Sequence, residues 1–304
     1  APGGVAARMR RAWGIALLLL GVAAGAAALG APVLAAEPSA GRGPEAPVRL
    51  SVRAPSTEAA DEFADALRAL AGDTLRLVDD DADLVLALGE QAFRDVLAAE
   101  GPPVLGLAVP RRAADQLITD DCQCSAIWQG VPLDSQLALL RALLPEARRI
   151  GILRAPHSVW RTLPAAPPGL SLEAVTVPEP SRLGALLRRH LPEWDALLLP
   201  EDHNLFDGGA ARLVLLTSYR QRVPVVGPDG AYVRAGSVAS ARVLLTDLAA
   251  AARDAVHAHQ RLGHWPAPGF AGHYSLAVNE HVAGAYDLGP VDRAPLERIL
   301  EATP

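Results

Sequence analysis

The sequence predicts an α/β protein built from two consecutive, Rossmann-like, doubly wound lobes. Its length is the first observation, because 304 residues suffice for two lobes that each bury their own core. The second is the pattern from residue 48 onward, where short apolar runs alternate with helical patterns at the spacing of βαβ units. The third is a fresh amphipathic helix pattern at residue 133, which opens a second series of the same kind.

The first series contains five predicted strands with helices between them. The helix after the first strand places Phe63, Leu67 and Leu70 on one face and ends at Gly72. The run 84–88 (LVLAL) is apolar on both faces, which is typical of a central parallel strand. The predicted strands are 48–52, 75–78, 84–88, 104–109 and 126–129.

The second series repeats this organisation. Leu133, Leu137, Leu140 and Leu144 recur on one face of a helix that stops at Pro145. The predicted strands are 150–153, 172–177, 196–199, 223–226 and 275–278, and the later helices are 181–192, 210–222 and 243–262. Ligands of such sheets bind outside the carboxyl ends of the strands, so the residues that follow each strand are the place to search for a site.

The first 36 residues have the pattern of a signal peptide. Met9, the predicted true start, is followed by two Arg, an uncharged run from 13 to 29, and a small-residue segment with cleavage after Ala35 or Ala36. An uncleaved membrane anchor is the alternative, because the apolar run approaches the length that spans a bilayer. No Cys stands at the cleavage site, which argues against a lipoprotein. Residues 37–47, rich in Pro, Gly and Ser, are predicted to be a flexible leader.

Charge and composition exclude several classes of protein. The formal net charge of −6 does not fit a general nucleic-acid binder, and two Cys exclude a disulfide scaffold. Cys122 and Cys124 either form a local disulfide or stay inert thiols, with a metal or redox role as a remote alternative. The sequence contains no phosphate loop, nucleophile elbow or dinucleotide fingerprint. We therefore expect neither enzymatic activity nor a cofactor or metal site.

Three segments resemble one known family. The runs QLALLRALLPEARRIGIL (136–153), DALLLPEDHNLF (195–206) and VPVVGPDGAYVRAGSVAS (223–240) are similar, in this order, to ABC-transporter substrate-binding proteins with the type I periplasmic binding fold. This is the group that includes aromatic-amino-acid binders, and the resemblance covers roughly residues 84–288. It implies two lobes joined by a hinge of three crossings that closes over a small ligand.

The resemblance also implies how the chain is divided between the lobes. Residues 48–127 plus 231–268 would form the N-terminal lobe, and residues 128–230 plus 269–304 the C-terminal lobe. The three crossings are expected near 128–131, near 227–232 and around 266–274.

At two strand ends the chain departs from the family pattern. Glu90 stands where the family has Ser or Thr after a Gly, and its charge would repel a ligand carboxylate; Gln91 follows it as a second candidate. Arg154 and Ala155 replace the family's Tyr-Asn, and Arg154 is a candidate partner for a ligand carboxylate or phosphate.

Other candidate ligand contacts follow the family pattern more closely. Asp202, Asn204 and Asp229 occupy its polar positions after strands of the second lobe, where an Asp can pair with an ammonium group. Each Asp has the alternative role of capping a turn or helix, and for Asp202 the two roles have equal weight. Trp128, at the first crossing, either stacks on a ligand ring or fills the hinge.

Export pattern and resemblance together predict a periplasmic solute-binding protein. It would be a monomer that captures a small polar or amphipathic ligand, amino-acid-like ligands among them, and delivers it to an ABC permease in the inner membrane. An envelope sensor or accessory binding protein without a permease is the alternative. A remote alternative is an exported enzyme that uses Glu201, Asp202 and His203.

Overall fold

The computed structural model describes residues 47–206 and 209–303, apart from the side chains of His203 and Asn204. The predicted signal peptide and leader lie outside these residues, save for Pro47, and both stay predictions. Within the described ranges no helix combines the length and the hydrophobicity needed to cross a membrane. Residues Ala46–Pro304 form one compact unit.

Five parallel strands form the sheet of the first lobe. The strands are β1 (Val48–Arg53), β2 (Leu75–Leu77), β3 (Leu84–Leu88), β4 (Val104–Val109) and β5 (Cys124–Trp128), and the helices between them are α1 (Thr57–Ala71), α2 (Gly89–Ala98) and α3 (Arg111–Leu117). The strand order is β2-β1-β3-β4-β5. Ser56 caps α1 by accepting a hydrogen bond from the Ala59 N–H, as its position before the helix requires.

The second lobe contains a six-stranded sheet. Its strands are β6 (Arg149–Arg154), β7 (Ser171–Thr176), β8 (Ala196–Leu198), β9 (Val225–Val226), β10 (Ala239–Arg242) and β11 (Ser275–Val278). The remaining helices are α4 (Leu133–Leu143), α5 (Leu183–His190), α6 (His203–Phe206), α7 (Gly209–Arg220), α8 (Gly230–Ala235), α9 (Leu245–Leu262), α10 (Glu280–Ala285) and α11 (Arg293–Ala302). The strand order is β11-β10-β9-β8-β6-β7, and only β11 runs antiparallel to its neighbour.

Helices cover both faces of each sheet. In the first lobe, α1 and α9 pack on one face around Leu50 and Phe63, and α2 and α3 pack on the other around Phe93 and Val109. In the second lobe, α4 and α11 cover one face, and α5 and α7 cover the other. In both lobes the first strand of the series lies between the second and the third, the strand order of a doubly wound sheet. The predicted fold class is therefore confirmed.

The chain passes between the lobes three times. Residues 129–132 connect β5 to α4, residues 243–244 connect β10 to α9, and residues 270–274 lead from Gly269, which bridges to Ile127 at the edge of the first sheet, to β11. The second crossing was expected near 227–232, and this boundary needs correction. Because β10 pairs with both β9 and β11, the chain from 231 to 242 belongs to the second lobe.

Candidate functional site

A cavity of about 740 Å³ lies between the two lobes, beside the carboxyl ends of strands from both sheets. Such strand ends are where doubly wound sheets bind their ligands. The cavity is lined by Glu90, Arg94, residues 110–113 and Gln116 of the first lobe, by Gln129 of the first crossing, and by residues 155–157, Val159, Pro178, Glu201 and Asp202 of the second lobe.

Polar contacts between described residues join the two sides of this cavity, and three of them define its shape. They are the hydrogen bond from Arg111 Nη1 to the carbonyl oxygen of Val159 (3.1 Å), the hydrogen bond from Gln129 Nε2 to Glu201 Oε1 (3.1 Å), and the ion pair of Arg161 with Asp115. Each contact needs groups from both sides in place. The shape of the cavity is therefore coupled to the relative position of the lobes.

Arg111 is the central side chain that sequence reasoning missed. Its guanidinium carbon lies 4.4 Å from the ring centroid of Trp128, a cation–π stack. Trp128 in turn packs edge-on against Phe270, with the ring centroids 5.2 Å apart. Trp128 does not line the cavity. Of the two roles considered for it, the geometry favours filling the hinge, between Arg111 and Phe270.

An irregular end of β4 brings Arg111 to the cavity. The pairing of β4 with β5 shifts register between Gly106 and Val109, and Ala108 has a φ of +53°. Residues other than glycine rarely adopt this left-handed backbone conformation. Backbone strain of this kind is concentrated near functional sites. A bulge re-aims the chain that follows it, here Pro110 and then Arg111 at the start of α3.

Asp202 lines the cavity, but its hydrogen bonds go to the loop after β6. Its Oδ2 accepts a hydrogen bond of 2.7 Å from the Ala155 N–H, and the hydroxyl of Ser158 and the N–H of Val159 also donate to it. Burial raises the pKa of Asp202 above its ordinary value, and the hydrogen bonds oppose this shift without cancelling it. Asp202 therefore fixes the loop after β6, which is neither of the two roles considered for it, and its contact with a ligand stays a prediction.

Glu90 also lines the cavity, and its charge is compensated within α2. Arg94, one turn later, donates to Glu90 Oε1 over 2.7 Å and 3.0 Å. A carboxylate in the first turn of a helix is favoured whatever the function of the site. Gln91 donates instead to Asp95 over 2.8 Å and does not line the cavity, and its contact with a ligand stays a prediction.

Two further candidates are engaged away from the cavity. Arg154 Nη1 donates to the carbonyl oxygens of Trp160 (2.6 Å) and Arg161 (2.8 Å), which fixes the chain after β6. Asp229 caps α8 by accepting a hydrogen bond of 2.9 Å from the Tyr232 N–H. Neither residue lines the cavity, and for both the contact with a ligand stays a prediction. The side chain of Asn204 lies outside what the structure describes.

Cys122 and Cys124 are joined in a disulfide at the start of β5, with their Cα atoms 5.2 Å apart. This is one of the two states that the sequence left open. Among the residues that the structure describes, no group of three His, Cys, Asp or Glu side chains is placed to hold a metal ion.

Several solved structures share this architecture. The ligand-free, open structure of a substrate-binding protein with adhesive properties from Clostridium difficile has a TM-score of 0.60 at 15% identity, covering 81% of this chain and 97% of its own. An ABC domain from Streptococcus pneumoniae in complex with L-Trp has a TM-score of 0.52 at 17% identity, and the match covers 83% of this chain and 98% of that domain. A conserved domain protein from Vibrio cholerae has a TM-score of 0.52 at 17% identity, and the match covers 82% of this chain and 97% of that protein.

The sequence itself matches no protein-family model and no curated protein. At identities of 15–17% the structural likeness shows the fold alone. Two doubly wound lobes, three crossings and these neighbours together confirm the fold that the sequence resemblance implied: the chain has the type I periplasmic binding fold.

Proposed function

We propose that the protein is a solute-binding protein that captures a small polar or amphipathic ligand between its lobes. The observation that carries the proposal is the cavity of about 740 Å³ at the strand ends of both sheets. Its size falls within the range of about 300–1,000 Å³ that is usual for small-molecule sites. Charged and amide side chains from both lobes line it, and such groups orient a polar ligand.

Ligand binding would act through the hinge formed by the three crossings. A ligand held by groups of both lobes favours the conformation in which the lobes are together, to the extent that it binds that conformation more tightly. The contacts of Arg111 with Val159 and of Gln129 with Glu201 belong to that conformation, because each joins the two sides of the cavity. The Clostridium difficile neighbour, described as ligand-free and open, supports a hinge of this kind.

Export and delivery are the finer parts of the proposal. The signal-peptide pattern of residues 1–36 supports export to the periplasm, and the sequence resemblance supports delivery, as a monomer, to an ABC permease. The neighbour that binds L-Trp makes amino acids a reasonable first set of ligands to test. Permease and ATPase genes beside this gene would favour a transport role, and their absence would favour an envelope sensor or accessory protein.

A ligand screen with a cavity-filling variant tests the proposal. Thermal-shift and calorimetric measurements on the purified protein would cover amino acids, small carboxylates, amines and polyols. A ligand at 100 times its Kd stabilises the folded protein by about 2.7 kcal/mol, which a thermal shift readily detects. Ala155→Trp should abolish binding, because Ala155 lines the cavity.

Ala294→Trp is the matched control, since this exposed residue of α11 does not line the cavity and its variant should bind like the wild type. If no compound binds, or if Ala155→Trp binds as tightly as the wild type, the cavity is not a solute site. Mass spectrometry of the bound compound separates a carrier from an enzyme, since a carrier returns its ligand unchanged.

A further inference from the structure

Two arginines at the start of α3 bring uncompensated positive charge to the cavity. Arg111 and Arg112 both line it. Among the described side chains, neither forms an ion pair with a carboxylate. Arg111 has five N–H donors and, within the described part of the chain, makes one hydrogen bond, to the carbonyl oxygen of Val159. Most of the hydrogen-bonding capacity of this pair of residues is therefore unused by the protein.

The carboxylates of the cavity, in contrast, already accept hydrogen bonds from the protein. The contacts are Arg94 to Glu90 (2.7 Å), the Ala155 N–H to Asp202 (2.7 Å) and the Gln129 amide to Glu201 (3.1 Å). A ligand ammonium group would have to compete with these donors. An anionic group would have no such competitor at Arg111 and Arg112.

With the lobes together, contacts within the protein hold the guanidinium of Arg111 in one orientation. Its stack on Trp128 and its hydrogen bond to Val159 fix the plane of the group. A planar, pre-organised guanidinium suits carboxylate and phosphate oxygens and loses less side-chain entropy when it binds them. Coulomb attraction is also stronger in a cleft between two lobes than in bulk water.

Building on the proposed function, we infer that the cleft selects solutes that carry an oxyanion, a carboxylate or a phosphate, and no ammonium group. Arg111 and Arg112 bind the oxyanion. A zwitterionic amino acid with the same side chain binds more weakly, because its ammonium group lies near two arginines and finds carboxylates that already have donors.

Matched sets of probes test this selectivity by calorimetry on the purified protein. One set is 3-phenylpropionate, L-phenylalanine and phenethylamine, which share a ring and carry a carboxylate, both charges or an ammonium group. A second set is 4-methylpentanoate, L-leucine and 3-methylbutylamine. Inorganic phosphate tests the other oxyanion. In at least one set, the carboxylate should bind at least about tenfold more tightly than the zwitterion, or phosphate should bind at least about tenfold more tightly than both zwitterions. The amines should not bind.

Variants assign the selectivity to these residues. Arg111→Gln and Arg112→Gln should each weaken oxyanion binding by about tenfold, about 1.4 kcal/mol. Arg111→Lys should retain part of the affinity, because it keeps the charge and loses the fork of donors. Arg298→Gln is the control: this exposed arginine of α11 does not line the cavity, so the same loss of net charge should leave binding unchanged.

The outcomes separate this inference from the proposed function. Tighter binding of a zwitterion or of an amine would overturn the inference and leave solute binding intact. Binding of no probe, and of no compound in the wider screen, would overturn both. If circular dichroism shows that Arg111→Gln does not fold, Arg112→Gln decides, and unchanged oxyanion affinity in that variant would overturn the inference.

Discussion

Replacement of Gly151 by alanine is predicted to destabilise the second lobe, because β6 packs at this residue against the ring of Trp194. A Cβ at residue 151 would lie 2.5 Å from Cε2 of Trp194 and closer still to Cδ2 and Cε3, whereas ordinary contacts begin at 3.4 Å. The ring is 4% exposed, donates from Nε1 to Glu173 over 2.8 Å, and stacks on His190. The ring would have to move by about 1 Å, which would disturb these contacts. We therefore expect the free energy of unfolding to fall by about 2–3 kcal/mol, the upper part of the range for overpacked cores.

Urea unfolding followed by far-ultraviolet circular dichroism measures this cost. Gly284→Ala is the control, because a Cβ at this position of α10 meets nothing within 4 Å. The same substitution should there stabilise the protein by about 0.5–1 kcal/mol, since glycine loses more backbone entropy in a helix. A Gly151→Ala protein within about 0.5 kcal/mol of the wild type, the usual range of neutral substitutions, would refute the packing argument.

Four further predictions concern single features of the structure. Burial raises the pKa of Asp202 in the folded protein above 3.8, so protonation of this carboxyl stabilises the folded state. This stabilisation is fully present below pH 3.8 and is lost as the pH rises through the folded-state pKa. Asp202→Asn should remove this pH dependence from the free energy of unfolding measured in urea. Ala108→Gly should stabilise the protein by about 1 kcal/mol in the same assay, because glycine tolerates the φ of +53°. Burial raises the pKa of Tyr286 to about 12, so ultraviolet titration of Tyr286→Phe should lack one late-ionising tyrosine. Intact-mass analysis should show no alkylation of Cys122 or Cys124 without reductant, and replacing both by Ser should change ligand affinity less than twofold.

The central strands were predictable from the sequence because their local pattern and their environment agree. Residues 84–88 are apolar throughout and end at Gly89, and β3 has these bounds. The strand β10 shows the opposite case. Its residues Ala239–Arg242 (ASAR) have little intrinsic strand preference, and they form a strand because β9 and β11 pair with them from both sides. Because β10 was not predicted, the second crossing between the lobes was placed before this strand instead of after it.

The location of the site was more predictable than its chemistry. Strand-end reasoning identified Glu90 and Asp202, which do line the cavity. It could not assign their roles, because Asp202 accepts a hydrogen bond from Ala155, 47 residues earlier in the chain. Arg111 was missed because a bulge and a left-handed residue, which the sequence pattern does not reveal, precede a helix of only seven residues. The doublet of arginines directly after the strand end was the one available signal.

Net charge is a poor guide to the ligand of this cleft, since local compensation decides which charges remain for a ligand. The chain carries a net charge of −6, and carboxylates line the cavity as often as arginines. Yet Glu90 is paired with Arg94 one turn away and Asp202 accepts hydrogen bonds from the loop after β6, while Arg111 is stacked on an aromatic ring, which leaves its charge unpaired. Because Arg111 also bonds the facing lobe through Val159, an anion bound to it would be sensed by the same side chain that joins the lobes. On the proposed function, Arg111 would therefore take part in both properties: it would select the anion together with Arg112, and it would hold the lobes together along with the Gln129–Glu201 and Arg161–Asp115 contacts.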